Sequence, residues 1–381
     1  MSTKCPYAAK CGGCDYQGIE YDKQLELKQR ELQSLLGKYC KVDKIIGMEN
    51  PERYRCKVTA SYTYLKNGAY ISGVYEKDSH RIVKIDDCMI TDKVANEIIV
   101  TIRNLLKSFK IKTYNEDTGF GLLRHVQIRV GRFSGQIMVI LVVSNPTFPS
   151  KNNFVKVLRE KHPEITTVVL NVNNKHTGMV LGERNIPIYG KGYIEDELCG
   201  LRFKISPGSF YQVNPVQTQI LYNKAMEYAA LQSSDIVLDA YSGTGTIGCI
   251  TSKSAGRVIE VELNKQAVKD AIDNIKRNSI SNIRVYANDA TKFICKMAEE
   301  EKKTDVVIMD PPRSGSTPEF IDAVAKMGPS RVVYISCGPQ SLARDLKLFV
   351  KKGYSVCKIQ PVDMFGFTSH VETVVLMSRV K

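Results

Sequence analysis

Hydrophobic and polar positions along this chain follow two rhythms. Through about residue 203, strand-like runs at 58–64, 70–74, 124–130, 136–143 and 167–172 are punctuated by Gly, Asn and Asp. Helical spacing interrupts them near 92–108 and 153–161. The pattern predicts an α+β unit on largely antiparallel sheet. From Ser233 onward, short apolar runs at 236–239, 258–262, 283–286, 306–309, 332–335 and 374–377 alternate with helical stretches such as 266–278. That alternation predicts a doubly wound α/β sheet. Ahead of both, Leu25, Leu32, Leu35 and Leu36 fall at helical spacing in a segment that Gly37 ends. The expected division is 1–50, 51–205 and 206–381.

Several of the later runs end in reactive residues. Val332-Val333-Tyr334-Ile335 delivers Ser336-Cys337 and then a Gly338-Pro339 turn. A buried strand would so present a thiol at its carboxyl end, where ligands collect in open α/β sheets. Backbone N–H groups of a helix opening there would lower its pKa. The run ending on Asp239 enters a turn with Gly243, Gly245 and Gly248. A carboxylate there would repel a pyrophosphate and suits a cationic amino-acid group, and no Walker lysine follows. The next strand ends on Glu262, placed to accept ribose hydroxyls, and a third leads to Asp289, which could meet an adenine edge. This ordered set of acids fits S-adenosyl-L-methionine better than a dinucleotide.

Asp310-Pro311-Pro312-Arg313 narrows the choice of methyl transfer. An aromatic in the fourth place would suit methylation of an exocyclic amine; an arginine instead suits phosphate or carbonyl oxygens. Cys337, one strand later, argues for methylation at carbon. Carbon 5 of uracil is a weak nucleophile until a thiolate adds to carbon 6. The adduct must then lose its carbon 5 proton to a base. Glu372, ahead of the apolar run from Val374, is the expected base, and His370 the alternative.

Composition adds a partner and excludes others. With 43% hydrophobic and 25% charged residues, the 381-residue chain reads as globular. No apolar run approaches the roughly 20 residues that span a bilayer, so no membrane role is expected. Residues 1–10 lack the apolar stretch of a signal peptide, and a cytoplasmic location is expected. A net charge of +14 and a pI near 9.1 favour a polyanion. Arg124, His125, Arg129 and Arg132 crowd one strand and its turn, a basic face that could hold phosphates. Nothing points to an obligate protein partner.

The 11 cysteines are odd in number, which argues against a disulfide framework. Cys5, Cys11 and Cys14 have C-x5-C-x2-C spacing, with Gly12 and Gly13 between the last two. Cys88, after a strand-like run, is the best fourth ligand. Spacing alone leaves iron–sulfur, zinc and unliganded thiols all open.

Taken together, the residues resemble the RNA uracil-5-methyltransferases, which make 5-methyluridine. The resemblance rests on Cys11-Gly12-Gly13-Cys14, Arg124-His125, Ser209 to Asn214, Asp239 to Ile247, Asp310 to Arg313, Ser336-Cys337, Leu342 to Leu346 and His370 to Thr373. It implies a Rossmann-like S-adenosylmethionine-dependent methyltransferase domain behind an α+β RNA-binding domain. It further implies a [4Fe-4S] cluster on Cys5, Cys11, Cys14 and Cys88, cofactor contacts from Gln212, Tyr241, Glu262 and Asp310, Cys337 as nucleophile and Glu372 as base. The cluster-bearing branch points to 23S rRNA, with tRNA or a non-catalytic RNA-binding module as alternatives. Relatives often carry an N-terminal RNA-binding β-barrel, which is not expected here. They also usually have Asn where this chain has Gly338, and a small residue in place of Glu260.

Overall fold

A computed structural model describes residues 5–76, 79 and 81–380. Helix α1 (Tyr21–Leu36) precedes strands β1 (Lys57–Tyr64), β2 (Tyr70–Tyr75) and β3 (Ile82–Lys84), helix α2 (Lys93–Ser108), strands β4 (Leu123–Val130) and β5 (Ile137–Val143), helix α3 (Lys151–Lys161), and strands β6 (Ile165–Val172) and β7 (Arg184–Tyr189). The seven strands form one sheet in the order β3-β2-β1-β4-β5-β6-β7. Every pairing is antiparallel except β5 with β6, which α3 connects as a crossover. Side chains of α2 and α3 pack on this sheet, with Ile98, Ile102, Leu106, Phe154 and Leu158 fully or nearly fully enclosed.

A hairpin, β8 (Ile194–Leu198) with β9 (Leu201–Ile205), leads to α4 (Pro215–Ala229). There follow β10 (Ile236–Ala240), α5 (Thr246–Thr251), β11 (Arg257–Glu262), α6 (Lys265–Arg277), β12 (Ile283–Ala287), α7 (Ala290–Glu299), β13 (Val306–Met309), α8 (Pro318–Met327), β14 (Arg331–Ser336), α9 (Pro339–Lys351), β15 (Tyr354–Val362) and β16 (Glu372–Arg379). The second sheet runs β12-β11-β10-β13-β14-β16-β15. Its first five strands are parallel; β10, β13 and β14 are buried on both faces, which is why they read as apolar runs, whereas β12 is a part-exposed edge. The order reverses between β10 and β13, the switch point at which such sheets bind ligands.

β16 is last in the chain but not at the edge. It inserts antiparallel between β14 and β15, with Ser336 opposite Thr373. The ladder ends there, and Cys337, the next residue, comes close enough to Glu372 for the carboxyl to act on its thiol. Helices α7, α8 and α9 cover one face, and α4 and α5 the other. α1 joins the first of these layers: Leu32 and Leu36 are fully buried there, and Val42 and Ile46 bridge to Ile359 and Val362. Among the described residues, no helix is long and apolar enough to cross a membrane.

Candidate active site

A cavity of about 450 Å³ opens at the carboxyl ends of β10, β11, β13 and β14. Gln212, Tyr241, Glu262, Asp310, Cys337 and Glu372 all line it. Asp289 does not. It caps α7, accepting the Lys292 N–H at 2.9 Å.

Tyr241 leaves β10 with φ +69°, an uncommon left-handed conformation for a side chain of that size. Its hydroxyl meets Ser316 Oγ at 3.1 Å and its ring packs on Phe320. Glu262 accepts backbone N–H groups from Gly243 (2.9 Å) and Asn264 (2.6 Å). Those bonds fix the carboxylate at the turn and leave further lone pairs for hydroxyl donors. Sequence reading did not single out Tyr222, on α4, whose buried hydroxyl faces Thr246 and Gln212. Nor did it single out Lys57, which reaches the cavity from the first sheet.

Electrostatics at the reacting end differ from expectation. Burial, then Glu372 and Asp310, push the Cys337 thiol up to about 11, and Arg313 only partly offsets them. The expected lowering by the α9 N-terminus is outweighed. Burial, with Asp310 adding repulsion, raises Glu372 to about 8. Asp310 rises to about 7 by burial alone. His370 stands at the rim, largely exposed, and partial desolvation of its ring, then the Arg313 charge, lowers its pKa. At Gly338, a Cβ would stand 2.7 Å from Ser341 Oγ and 2.9 Å from the Arg313 carbonyl. Ser341 Oγ donates to that same carbonyl. The bare position is therefore what lets α9 close onto the Arg313 loop.

Two sequence readings are corrected. Asp239 does not line the cavity: it is fully enclosed beneath the glycine turn, opposite Glu260 in the β10–β11 register. Both carboxyls lack a hydrogen-bond partner among the described residues. Burial raises Glu260 to about 8 and Asp239 well above the usual carboxylate range. The basic face on β4 is likewise not a free surface. Arg124 is buried, bound to both oxygens of Glu116 and to the carbonyls of Asn173 and Lys175. Arg129 is buried on the Ser209 carbonyl, and His125 lies against Ser61 and is pushed down to about 4 by burial. Arg132 pairs with Asp92. The alternation of β4 suggested outward arginines, but both of its faces are covered.

Cys5, Cys11, Cys14 and Cys88 line a second cavity of about 540 Å³, and all four are half-buried free thiols. Tyr7 accepts the Asp86 N–H at 3.1 Å, which holds the first loop against the Cys88 segment. Burial, reinforced by the neighbouring thiols, raises Cys14 to about 11. Among the described residues, no three ligand-type side chains converge closely enough to share a single metal ion.

Comparison with known proteins gives the following. A family model described as tRNA (uracil-5-)-methyltransferase matches residues 20–380. A protein of Caldanaerobacter subterraneus subsp. tengcongensis, described as an uncharacterized RNA methyltransferase, is 43% identical over 385 residues, covering 100% of this chain and 85% of its own. One from Oceanobacillus iheyensis, described likewise, is 40% identical over 370 residues, covering 96% and 80%. The crystal structure of Pyrococcus abyssi tRNA (uracil-54, C5)-methyltransferase in complex with S-adenosyl-L-homocysteine superposes with a TM-score of 0.80 at 29% identity, covering 96% of this chain and 86% of that one.

Proposed function

The chain belongs to the tRNA (uracil-5-)-methyltransferase family, and we propose that it methylates carbon 5 of a uridine in 23S rRNA, in the cytoplasm. One observation carries the mechanism: the β14–β16 register sets Cys337 beside Glu372 in a cavity that Arg313 also lines. S-adenosyl-L-methionine supplies a methyl carbon bonded to a cationic sulfur. Cys337, its thiol proton released to solvent, bonds through sulfur to carbon 6 of a uracil flipped out of the RNA as the carbon 5–carbon 6 π pair shifts toward the ring oxygen. Arg313 stabilises the negative charge that this places on the ring oxygen. Carbon 5 would take the methyl as its bond to the donor's sulfur breaks, with S-adenosyl-L-homocysteine as leaving group. Glu372, as carboxylate, removes the carbon 5 proton, the carbon 6–sulfur bond breaks, and the thiol is restored. Gln212, Tyr241, Glu262 and Asp310 hold the methyl donor, and Asp289 supports that edge through the start of α7.

Cys5, Cys11, Cys14 and Cys88 would hold a [4Fe-4S] cluster. Its part is structural, fastening residues 5–20 to the sheet. The four-cysteine set is also what favours 23S rRNA as substrate. The activity in the Pyrococcus protein's title makes tRNA the competing one. Incubation with methyl-labelled S-adenosyl-L-methionine and each RNA pool separately decides between them. Label at carbon 5 of uridine in ribosomal RNA is expected. Label in tRNA alone would sink the ribosomal assignment, and label in neither would favour a binding module.

A further inference from the structure

We infer that Lys57 and Arg55 form a phosphate clamp for the substrate RNA, at the wall between the catalytic cavity and the cysteine cavity. Lys57 opens β1 and pairs in register with Arg129. It and Val213 are the two residues common to the linings of both cavities. The Cys56 N–H donates to the Val213 carbonyl at 2.8 Å, which pins this wall to the segment carrying Gln212. Arg55 lies two residues before Lys57, so on the same face of extended chain, and lines the cysteine cavity.

What marks the pair is a missing anion. The neighbouring arginines of the first domain are engaged: Arg53 with Asp87, Arg124 with Glu116, Arg129 with the Ser209 carbonyl and Arg132 with Asp92, while Arg313, in the catalytic cavity, is assigned to the base itself. Among the described residues, neither Lys57 nor Arg55 makes a side-chain hydrogen bond or ion pair. Burial, then the Arg129 and Arg55 guanidiniums, push the Lys57 ammonium down to about 8. A half-buried cation among cations is costly unless a ligand brings the counter-charge. A flipped nucleotide brings two, because its flanking phosphodiesters stay at the mouth when its base enters. The acids expected to hold the methyl donor stand instead on the second sheet, at the ends of β11 and β13.

This inference rests on the RNA-methylation reading, and the experiment separates the two. Full-length wild type, Lys57→Gln, Lys57→Arg and Arg55→Gln are assayed on the RNA pool that takes label, between 50 and 200 mM salt. Binding of S-adenosyl-L-methionine is measured in parallel by calorimetry. Lys57→Gln should raise KM for RNA about tenfold with kcat within about twofold, a loss of roughly 1.4 kcal/mol. The slope of log affinity against log salt should fall by about 1 for each charge removed. Lys57→Arg should restore most of the KM, and methyl-donor affinity should stay within about twofold throughout. Since Gln removes an unpaired cation, folding should survive, which a thermal melt checks. Unchanged KM and salt slope in Lys57→Gln, with wild type active, would overturn the clamp alone. Loss of methyl-donor binding with RNA affinity intact would overturn it too, by assigning Lys57 to the donor's carboxylate. A wild type that labels no RNA removes both readings together.

Discussion

Lys28 Nζ lies 2.7 Å from Asp363 Oδ1, and neither side chain has any exposed surface. Asp363 also accepts the Tyr21 hydroxyl at 2.7 Å, and Lys28 also donates to the Phe365 carbonyl. The pair therefore fastens α1 to the segment that leads into Glu372. Removing one partner leaves the other charge buried and unpaired, at a cost of about 3–5 kcal/mol. Asp363→Ala should lower the unfolding free energy by that amount in urea titration. Lys28→Met combined with Asp363→Leu should cost less than the sum of the single changes. A loss below about 0.5 kcal/mol for Asp363→Ala would show that the pair does not hold α1 in place.

The carboxyl of Glu260 occupies the space beside Gly248, so a Cβ at 248 would overlap Oε1. Gly248→Ala should destabilise by roughly 1–3 kcal/mol through overpacking. In a Glu260→Ala background the same change should cost less. Equal cost in both backgrounds would contradict the contact.

Most of the second sheet was legible because strands covered on both faces must be apolar throughout. β7 and β8 were not, for the opposite reason. β7 is an edge strand with Arg184 and Asn185 exposed, and β8 carries Glu195, Asp196 and Glu197. Asp196 faces inward, accepting N–H groups of Arg132, Phe133 and Ser134, and so breaks the hydrophobic signal of its strand. At the site, Cys337 and Glu372 could be found because each ends or begins an apolar run. Lys57 could not, since its cavity is made by a sheet more than a hundred residues away in the chain. Arg124 misled for a related reason: Glu116, which covers it, sits in a loop with no periodicity.

Four buried carboxyls set a pH dependence, Asp239 with its strongly raised carboxyl among them. Glu260 and Glu372 are raised to about 8 and Asp310 to about 7. Each holds a proton in the folded state that the unfolded chain releases near 4. Their contribution is complete below that point and is lost as pH rises through 7 to 8. His125, lowered to about 4, works the other way, but only below about 6.5. Stability should therefore fall from about pH 4.5 to about 8, most steeply above about 6.5 where His125 no longer offsets it, and less steeply in Glu260→Gln. Over the same interval the rate at which the methylated adduct resolves to free product should rise as Glu372 becomes a base, and Glu372→Gln should instead accumulate a methylated covalent protein–RNA adduct. A flat rate profile would remove Glu372 from that role.

Anaerobically purified protein should be brown, with broad visible absorption and bound iron and sulfide. Cys88→Ser should lose most of that absorption and melt at lower temperature. A colourless protein carrying zinc would contradict the cluster.

The central claim is a covalent bond between Cys337 and carbon 6 of uracil. RNA with 5-fluorouridine at the target leaves Glu372 no proton to remove, so the adduct cannot resolve. With S-adenosyl-L-methionine present, the wild-type protein should form a protein–RNA complex that survives denaturing electrophoresis, and Cys337→Ala should form none. Full methylation of ordinary RNA by Cys337→Ala, or no complex with the wild type on RNA that it methylates, would contradict the account.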